Sequence, residues 1–196
     1  MRKLWFCVPM MILLLLSACG AGGGEDNEAE QLALVLRGEY LEMTACTATA
    51  EITADYGQRV YQYTMSVESA GEETVLTLAA PETVAGITAR LKGKDSLLEY
   101  DGIAVETGPM DGEGLTPVSA VPVLLETAKS GYIRACSWEE NGALLRVDCG
   151  DPEGAPGQGR EVTLWFETDT HALSRGEITL DGFRAILCQF EDFTKE

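Results

Sequence analysis

Apolar and polar residues alternate with a period of two along most of the chain after residue 44. Between residues 46 and 54 every even position is apolar and the odd positions are polar, and residues 61–67 alternate in the same way. Because successive side chains of a strand point to opposite faces, both segments are predicted to be strands with one buried side. Similar runs recur to residue 193 between short turns, which indicates an antiparallel meander.

Two segments have helical periodicity instead. In the first, Leu32, Val35 and Leu36 share one helical face. Asn27 and Glu30 have the spacing of a capping box. A helix is therefore predicted from about residue 28 to residue 37, reaching at most residue 40.

The second helix is indicated by four apolar residues at the i, i+3, i+4, i+7 spacing of one buried stripe: Val121, Leu124, Leu125 and Ala128. With Ser119 as the N-cap, Pro122 falls in the first turn, where backbone N–H groups have no helical partner. Lys129 and Gly131 are typical of a helix end. About ten strands and two helices predict an α+β fold, in which a sheet with one apolar face curls around a core and the helices cover the opening.

The N-terminus has the features of an export signal. Arg2 and Lys3 precede an apolar run over residues 4–16, which is shorter than the roughly 20 residues that a membrane span needs. The sequence Leu16-Ser17-Ala18-Cys19 then resembles a bacterial lipobox. We expect residues 1–18 to be a signal peptide, residues 19–27 a lipidated cysteine with a Gly-rich tether, and residues 28–196 the folded domain. The alternatives are an ordinary cleaved signal or a core helix that contains Cys19.

A diacylglycerol group on Cys19 would anchor the chain to the extracytoplasmic face of the cell membrane, and no other cofactor is expected. The charge balance agrees that a lipid, rather than a basic surface, makes the attachment. The chain has 14 Lys and Arg against 32 Asp and Glu, a formal net charge of −18. Such a surface repels phosphate backbones and anionic headgroups, so nucleic acid is excluded as a partner.

Four stretches of the chain carry a family resemblance. They are the opening helix leading into residues 44–52, residues 78–87 followed by 98–102, residues 164–173, and residues 190–193. Over about residues 30–193 the chain resembles the LolA/LolB family, and within it the Gram-positive LolA-like lipoproteins such as the germination lipoprotein GerS. The resemblance implies an incomplete antiparallel β-barrel of about ten strands with two helices covering its concave apolar face. LolA itself is a soluble carrier without a lipid anchor, and LolB serves an outer membrane.

Few residues offer catalytic or metal chemistry. The single histidine, His171, follows Asp169-Thr170 and is expected to be an exposed turn residue. There is no Gly-x-Ser-x-Gly elbow, phosphate loop or dinucleotide fingerprint. The acidic loop at residues 111–114 lacks the ligand spacing of a calcium loop. We therefore predict neither a catalytic residue nor a metal site.

Four cysteines remain after Cys7 leaves with the signal and Cys19 takes the lipid: Cys46, Cys136, Cys149 and Cys188. In the hairpin around Asn141-Gly142, Cys136 faces Val147, and a shift of one position makes a Cys136–Cys149 disulfide plausible. The alternative is that all four are small buried apolar residues.

Large side chains occupy the inward strand positions Tyr61, Tyr63, Met65, Trp138 and Phe166. Phe190 is a further candidate for this set. These residues either line an apolar pocket for an acyl chain or fill the barrel as core. Three functions follow. The first is a non-enzymatic, membrane-anchored binding or scaffold protein for an envelope partner. The second is a carrier of lipid or lipoprotein on the concave face, and the third is an envelope hydrolase that uses two close carboxyl groups.

Overall fold

The computed structural model describes residues 25–93 and 95–196, so the predicted signal peptide, Cys19 and the glycines of the tether lie outside the described residues. Within these described residues, the secondary structure consists of two helices, eleven strands and one 3₁₀ turn at Glu140–Gly142. The elements are α1 (Glu25–Glu42), β1 (Ala45–Asp55), β2 (Val60–Ala70), β3 (Glu73–Ala80), β4 (Thr88–Lys92), β5 (Asp95–Tyr100), β6 (Ile103–Glu106), α2 (Pro117–Ser130), β7 (Ile133–Glu139), β8 (Leu144–Cys149), β9 (Arg160–Glu167), β10 (Leu173–Leu180) and β11 (Phe183–Lys195).

All eleven strands form one antiparallel sheet in the order β6-β5-β4-β3-β2-β1-β11-β10-β9-β8-β7. The first and last strands of the chain's sheet, β1 and β11, meet in its middle, where Ile52 lies opposite Cys188 and Ala50 opposite Phe190. The two ends of the sheet, β6 and β7, do not pair with each other, so the barrel is incomplete. The predicted fold class, an α+β half-barrel with two covering helices, is confirmed, with one strand more than the expected ten.

Helix α1 is longer than predicted and turns a different face to the sheet. It begins at Glu25, so Asn27 lies inside the helix and its Oδ1 accepts a hydrogen bond from Gln31 Nε2 at 3.3 Å. The buried face consists of Ala29, Ala33, Leu36 and Tyr40. Val35, which was expected on that face, is 52% exposed. The small alanines allow the helix to approach closely, and this rotates Val35 toward solvent.

Helix α2 begins three residues earlier than predicted. Thr116 is the N-cap: its Oγ1 accepts from Ser119 N at 3.2 Å, and Ser119 Oγ accepts from Thr116 N at 3.2 Å, a reciprocal capping box. Pro117 opens the helix, and Pro122 therefore lies in the second turn, where it removes one helical hydrogen bond. The predicted stripe is fully buried, as expected for the face that meets the sheet.

The core lies between the concave face of the sheet and the two helices. Gly176 in β10 lets α2 approach, because a Cβ built at Gly176 would come within 2.6 Å of Leu124 Cδ1. The two helices are joined by the guanidinium of Arg37, whose Nη2 donates to the carbonyl oxygen of Gly131. Across the described part of the chain, no helix is long and apolar enough to cross a membrane.

The four cysteines among the described residues are free thiols, so the disulfide predicted between Cys136 and Cys149 is not formed in this structure. The strand register explains why. Cys136 does lie opposite Val147, as predicted, but Cys149 lies opposite Ile133, and a bulge between Ile133 and Ala135 shifts the intervening pairs. The alternative prediction was that all four cysteines are small buried apolar residues. It holds for Cys46, Cys149 and Cys188, whereas Cys136 is half-buried.

Candidate functional site

The middle of the concave face is packed solid. Met65 and Phe166, two of the five residues expected to line a pocket, are buried core residues. The ring of Phe166 packs edge-on against Tyr40 of α1 with 5.3 Å between centroids. Phe190 is also buried and packs against Phe193. At these positions the side chains fill the half-barrel as core.

The other three predicted pocket residues lie at two separate rims. Tyr61 and Tyr63 lie near the start of β2, with ring centroids 6.4 Å apart, and Tyr61 is 37% exposed. Tyr56 extends this row and packs against Tyr61. The hydroxyl of Tyr56 donates to the carbonyl oxygen of Leu115 at 3.1 Å, and burial raises the pKa of Tyr56. Trp138 lies on β7, beside a surface groove that Glu28 and Asn141 also line. The five residues therefore do not form the wall of one pocket.

The space left beneath the two helices, in the middle of the concave face, is very small. A cavity of about 10 Å³ remains where α1 and α2 meet β7, β8 and β9, with Leu36, Ala128 and Phe166 among its lining residues. Such a volume holds about one water molecule. Ligand pockets usually enclose about 300–1,000 Å³, so this cavity does not accommodate an acyl chain.

The concave face is not covered along its whole length. A row of directly paired residues crosses four strands from Leu76 through Ala89 and Leu98 to Val105, so all four point to the concave side. Leu76 and Ala89 are completely buried, Leu98 is half-buried, and Val105 is 53% exposed. The cover provided by the rest of the molecule thus ends between β4 and β6.

A neighbouring pair continues the exposed surface. Tyr100 lies opposite Ile103 on the same face, and these side chains are 57% and 66% exposed. We call the surface formed by Leu98, Tyr100, Ile103 and Val105 the apolar wing. The sequence prediction missed it, because alternation alone shows that Ile103 and Val105 share a face with the core residues but not where the helices stop. The available signal was that two helices of moderate length cannot cover a sheet of ten or more strands.

The convex side behind the apolar wing is charged. A groove of about 580 Å³ lies there, lined by Glu73, Arg90, Lys92, Asp95, Ser96, Leu97, Glu106, Gly108 and Pro109. The Nε of Arg90 donates to Glu99 Oε2 at 2.8 Å, and this hydrogen bond raises the pKa of Arg90. The two sides of the β5–β6 hairpin therefore differ: the concave side is apolar and the convex side carries charged groups.

The single histidine takes part in a hydrogen-bonded cluster with Glu39 rather than standing free in a turn. His171 has a φ of +60°, and its Nδ1 lies 2.7 Å from Glu39 Oε1. The other oxygen of Glu39 accepts from Lys195 Nζ, which lies 4.8 Å from the ring centroid of Tyr40. Burial alone would raise the pKa of Glu39, but the hydrogen bonds from Lys195 and His171 outweigh it and lower the pKa. The cluster fastens the end of α1 to β11 and to the turn before β10.

The acidic loop before α2 also has a structural role. Asp111 accepts from Glu113 N at 2.9 Å and from Leu115 N at 2.8 Å. Its carboxylate is thus used to fold the loop that leads into α2. Among residues 25–93 and 95–196, no group of three or more His, Cys, Asp or Glu side chains is arranged to hold a metal ion.

No protein-family model and no curated protein matches the sequence significantly. Among solved structures, the chain is similar to an uncharacterised conserved protein from Thermus thermophilus, with a TM-score of 0.50 and 10% identity over 86% of this chain and 88% of the other. A LolA superfamily protein from Nitrosomonas europaea aligns with a TM-score of 0.44 and 9% identity over 86% and 93% of the two chains.

The chain is also similar to a protein in the complex of the CwlD amidase from Clostridioides difficile with the GerS lipoprotein, with a TM-score of 0.47 and 13% identity over 85% of this chain and 95% of the other. At these identities the likeness concerns the fold alone. The open antiparallel sheet, with two helices on its concave face, is what the resemblance to the LolA/LolB family implied. The chain therefore has the incomplete antiparallel half-barrel fold that this resemblance implied.

Proposed function

We propose that this chain is an envelope lipoprotein, anchored to the membrane through Cys19, that binds another envelope protein without catalysing a reaction. One observation carries the proposal: the concave face is filled in its centre, yet it is only partly covered at β5 and uncovered at β6. The apolar wing is the surface to which we assign the binding.

The exposed side chains of the wing are adjacent, since Leu98 pairs with Val105 and Tyr100 pairs with Ile103. A contiguous apolar patch on a soluble protein commonly marks a site for a partner or ligand. Fully covering a Val or Ile side chain contributes about 1.5–3 kcal/mol, so a partner that covers Ile103 and Val105, both more than half exposed, gains stabilisation without a change in the fold.

The predicted anchor restricts where this partner is found. Five residues separate Cys19 from Glu25, where α1 begins. Even when fully extended, such a segment reaches at most roughly 20 Å. The folded domain would therefore stay close to the bilayer, and its partner would be a membrane protein or a protein held at the same surface.

The two other candidate functions have less support. A carrier that encloses an acyl chain needs a cavity many times larger than the 10 Å³ between helices and sheet. A hydrolase needs a carboxyl group whose pKa is raised so that it can act as a general acid. The carboxyl group of Glu39 is hydrogen-bonded to Lys195 and His171, and its pKa is lowered.

Site-specific photocrosslinking in intact cells tests the proposal. A photoreactive phenylalanine replaces Tyr100 in the full chain, and the matched control carries it at Glu51, an exposed position of β1 on the convex side. We expect a discrete protein adduct in the membrane fraction from position 100 but not from position 51. Mass spectrometry of the mature N-terminus is expected to find a diacylglycerol on Cys19. Equal adducts from both positions, or a lipid adduct alone at position 100, would contradict the proposal.

A further inference from the structure

The free edge of β6 offers backbone hydrogen-bonding groups beside the apolar wing. Asp101 and Gly102 form the two-residue turn between β5 and β6, with φ values of +49° and +75°. A two-residue turn makes the flanking pair, Tyr100 and Ile103, a hydrogen-bonded pair. Pairing then alternates, so Leu98 and Val105 are bonded to each other, and Thr107 N donates to Ser96 O at 3.0 Å in the same phase.

The alternation fixes which groups point outward. The backbone N–H and C=O of Ile103 and Val105 point toward β5, and those of Ala104 and Glu106 point away from the sheet. Among the described residues, β6 pairs with β5 alone, and all four of its residues are exposed. At the other end of the sheet, α1 lies beside β7, with Leu34 and Arg37 lining one groove together with Cys136.

The edge of β6 lacks two of the features that usually protect edge strands, although the strand is only four residues long. Its sequence Ile-Ala-Val-Glu contains neither Lys nor Pro, and Glu106 is its one charged residue. Its two faces differ, because Ile103 and Val105 face the concave side while Ala104 and Glu106 face the convex side. An added strand would meet apolar side chains on one face and an acidic side chain on the other.

We infer that the partner contributes an extended segment that adds to β6 as a twelfth strand, with apolar residues beside Ile103 and Val105 and basic residues beside Ala104 and Glu106. The inference rests on the proposed function and specifies the chemistry of the partner at the apolar wing. Main-chain hydrogen bonds give such strand addition its affinity, and the alternate side chains give it selectivity. The charge of −18 favours a basic segment and opposes a second copy of this acidic chain.

Amide hydrogen exchange, measured by NMR, tests the inference directly. The full chain, solubilised in detergent, is mixed with a peptide of alternating Lys and Val, and a peptide of alternating Glu and Val serves as the matched control. When the free peptide is at ten times its Kd, we expect exchange of the Ala104 and Glu106 amides to slow about tenfold. The Ile103 and Val105 amides, which already donate to β5, change less. The Glu-Val peptide leaves all four rates unchanged.

A variant separates backbone pairing from side-chain contact. Ala104→Pro removes the outward N–H and leaves the bonds between β5 and β6 in place, whereas Ala104→Ser keeps the N–H. We expect A104P to weaken binding of the Lys-Val peptide at least tenfold and A104S to leave it unchanged. N-methylation of the Lys-Val peptide makes the same test on the unaltered chain. Methyl groups on the backbone nitrogens that would pair with β6 should weaken binding, and methyl groups on the nitrogens of the opposite edge are the control.

Three outcomes would overturn the inference. The first is slower exchange near Leu34 or Tyr132 in place of the Ala104 and Glu106 amides. The second is slower exchange of the Ala104 and Glu106 amides at higher protein concentration in the absence of peptide. That result would identify a second copy of the chain as the segment that pairs with β6. The third is equal binding of both peptides. Each of these leaves an envelope partner crosslinked at position 100 in place, so the inference can fail while the proposed function stands.

Discussion

The side chain of Leu124 in α2 sits directly on the backbone of Gly176 in β10. A Cβ built at Gly176 would lie 2.6 Å from Leu124 Cδ1 and 2.7 Å from its Cδ2. This close approach brings the helix down to the sheet and fills the middle of the concave face. The filled centre of the concave face therefore depends on a residue without a side chain at position 176.

Gly176→Ala is expected to destabilise the fold by about 1–3 kcal/mol, because the added methyl group forces Leu124 out of a fully buried site. Urea unfolding followed by tryptophan fluorescence measures the change. Gly38→Ala in α1 is the control, since a Cβ there meets no atom within 4 Å. Alanine in a helix is favoured over glycine by about 0.5–1 kcal/mol, so G38A stabilises the chain. Equal midpoints for G176A and the unaltered chain would mean that Leu124 moves aside freely.

Glu39→Gln is expected to lower stability at neutral pH and to have little effect in acid. The pKa of Glu39 is lowered in the folded chain relative to its ordinary value of 4.5. The ionised Glu39 carboxylate therefore contributes to the free energy of unfolding above about pH 4.5, and this contribution is lost as the pH falls through the lower folded-state pKa. The free energies of unfolding of E39Q and the unaltered chain should converge as the pH falls from neutrality to below the folded-state pKa.

The control for this prediction is Glu42→Gln, which removes an exposed carboxylate from the last turn of the same helix. A general effect of charge in an acidic chain would make E42Q behave like E39Q. A difference between E39Q and the unaltered chain that stays constant at all pH values would show that the contacts of the ionised Glu39 carboxylate with His171 and Lys195 are not its cause.

The thiols of Cys136 and Cys149 are expected to be present but slow to alkylate in the native chain. Burial raises the pKa of each to about 11, so at pH 8 only about one thiol in a thousand is ionised. Differential alkylation with peptide mapping, before and after unfolding, measures both properties. Cys136, the more exposed of the two, should react first, and both should react fully once unfolded. Failure of both to react in denaturant without a reducing agent would indicate a disulfide.

The sequence predicted those features that depend on local periodicity. Period-two alternation predicted strands such as β1 and β2, and the stripe around Leu124 predicted the buried face of α2. The start of α2 was misplaced because Thr116 and Ser119 are both good capping residues, and only the reciprocal hydrogen bonds identify Thr116 as the N-cap. Hydrophobicity alone predicts that Val35 lies on the buried face of α1, whereas the packing uses Ala29 and Ala33 and leaves Val35 exposed.

Periodicity could not predict the candidate site, the apolar wing, for a different reason. The concave positions of β3 and β6 have the same alternation, and nothing local distinguishes Leu76, which is completely buried, from Val105, which is 53% exposed. The difference arises from the reach of the helices, which is a property of the tertiary packing. The same argument applies to the predicted pocket, since Tyr61 and Met65 occupy the same face of β2 but lie at the rim and in the core.

The contrast between Leu76 and Val105 gives the last prediction. Both lie in one cross-strand row, so truncation to alanine removes comparable groups from the same face of the sheet. Leu76→Ala is expected to cost about 2–5 kcal/mol, as for a core cavity. Val105→Ala is expected to stay within about 0.5 kcal/mol, as for a surface site. Urea unfolding of the two single variants measures this difference.

Binding should show the opposite order. The double variant Ile103→Ala/Val105→Ala is expected to lose the adduct from position 100, because it removes the apolar side chains that the partner covers. Leu76→Ala should keep the adduct under conditions where it remains folded, because Leu76 is buried beneath the protein's own elements. If the double variant crosslinked as well as the parent, the apolar wing would not be the binding surface. If it lost several kcal/mol of stability, the exposed side chains would instead be part of the core.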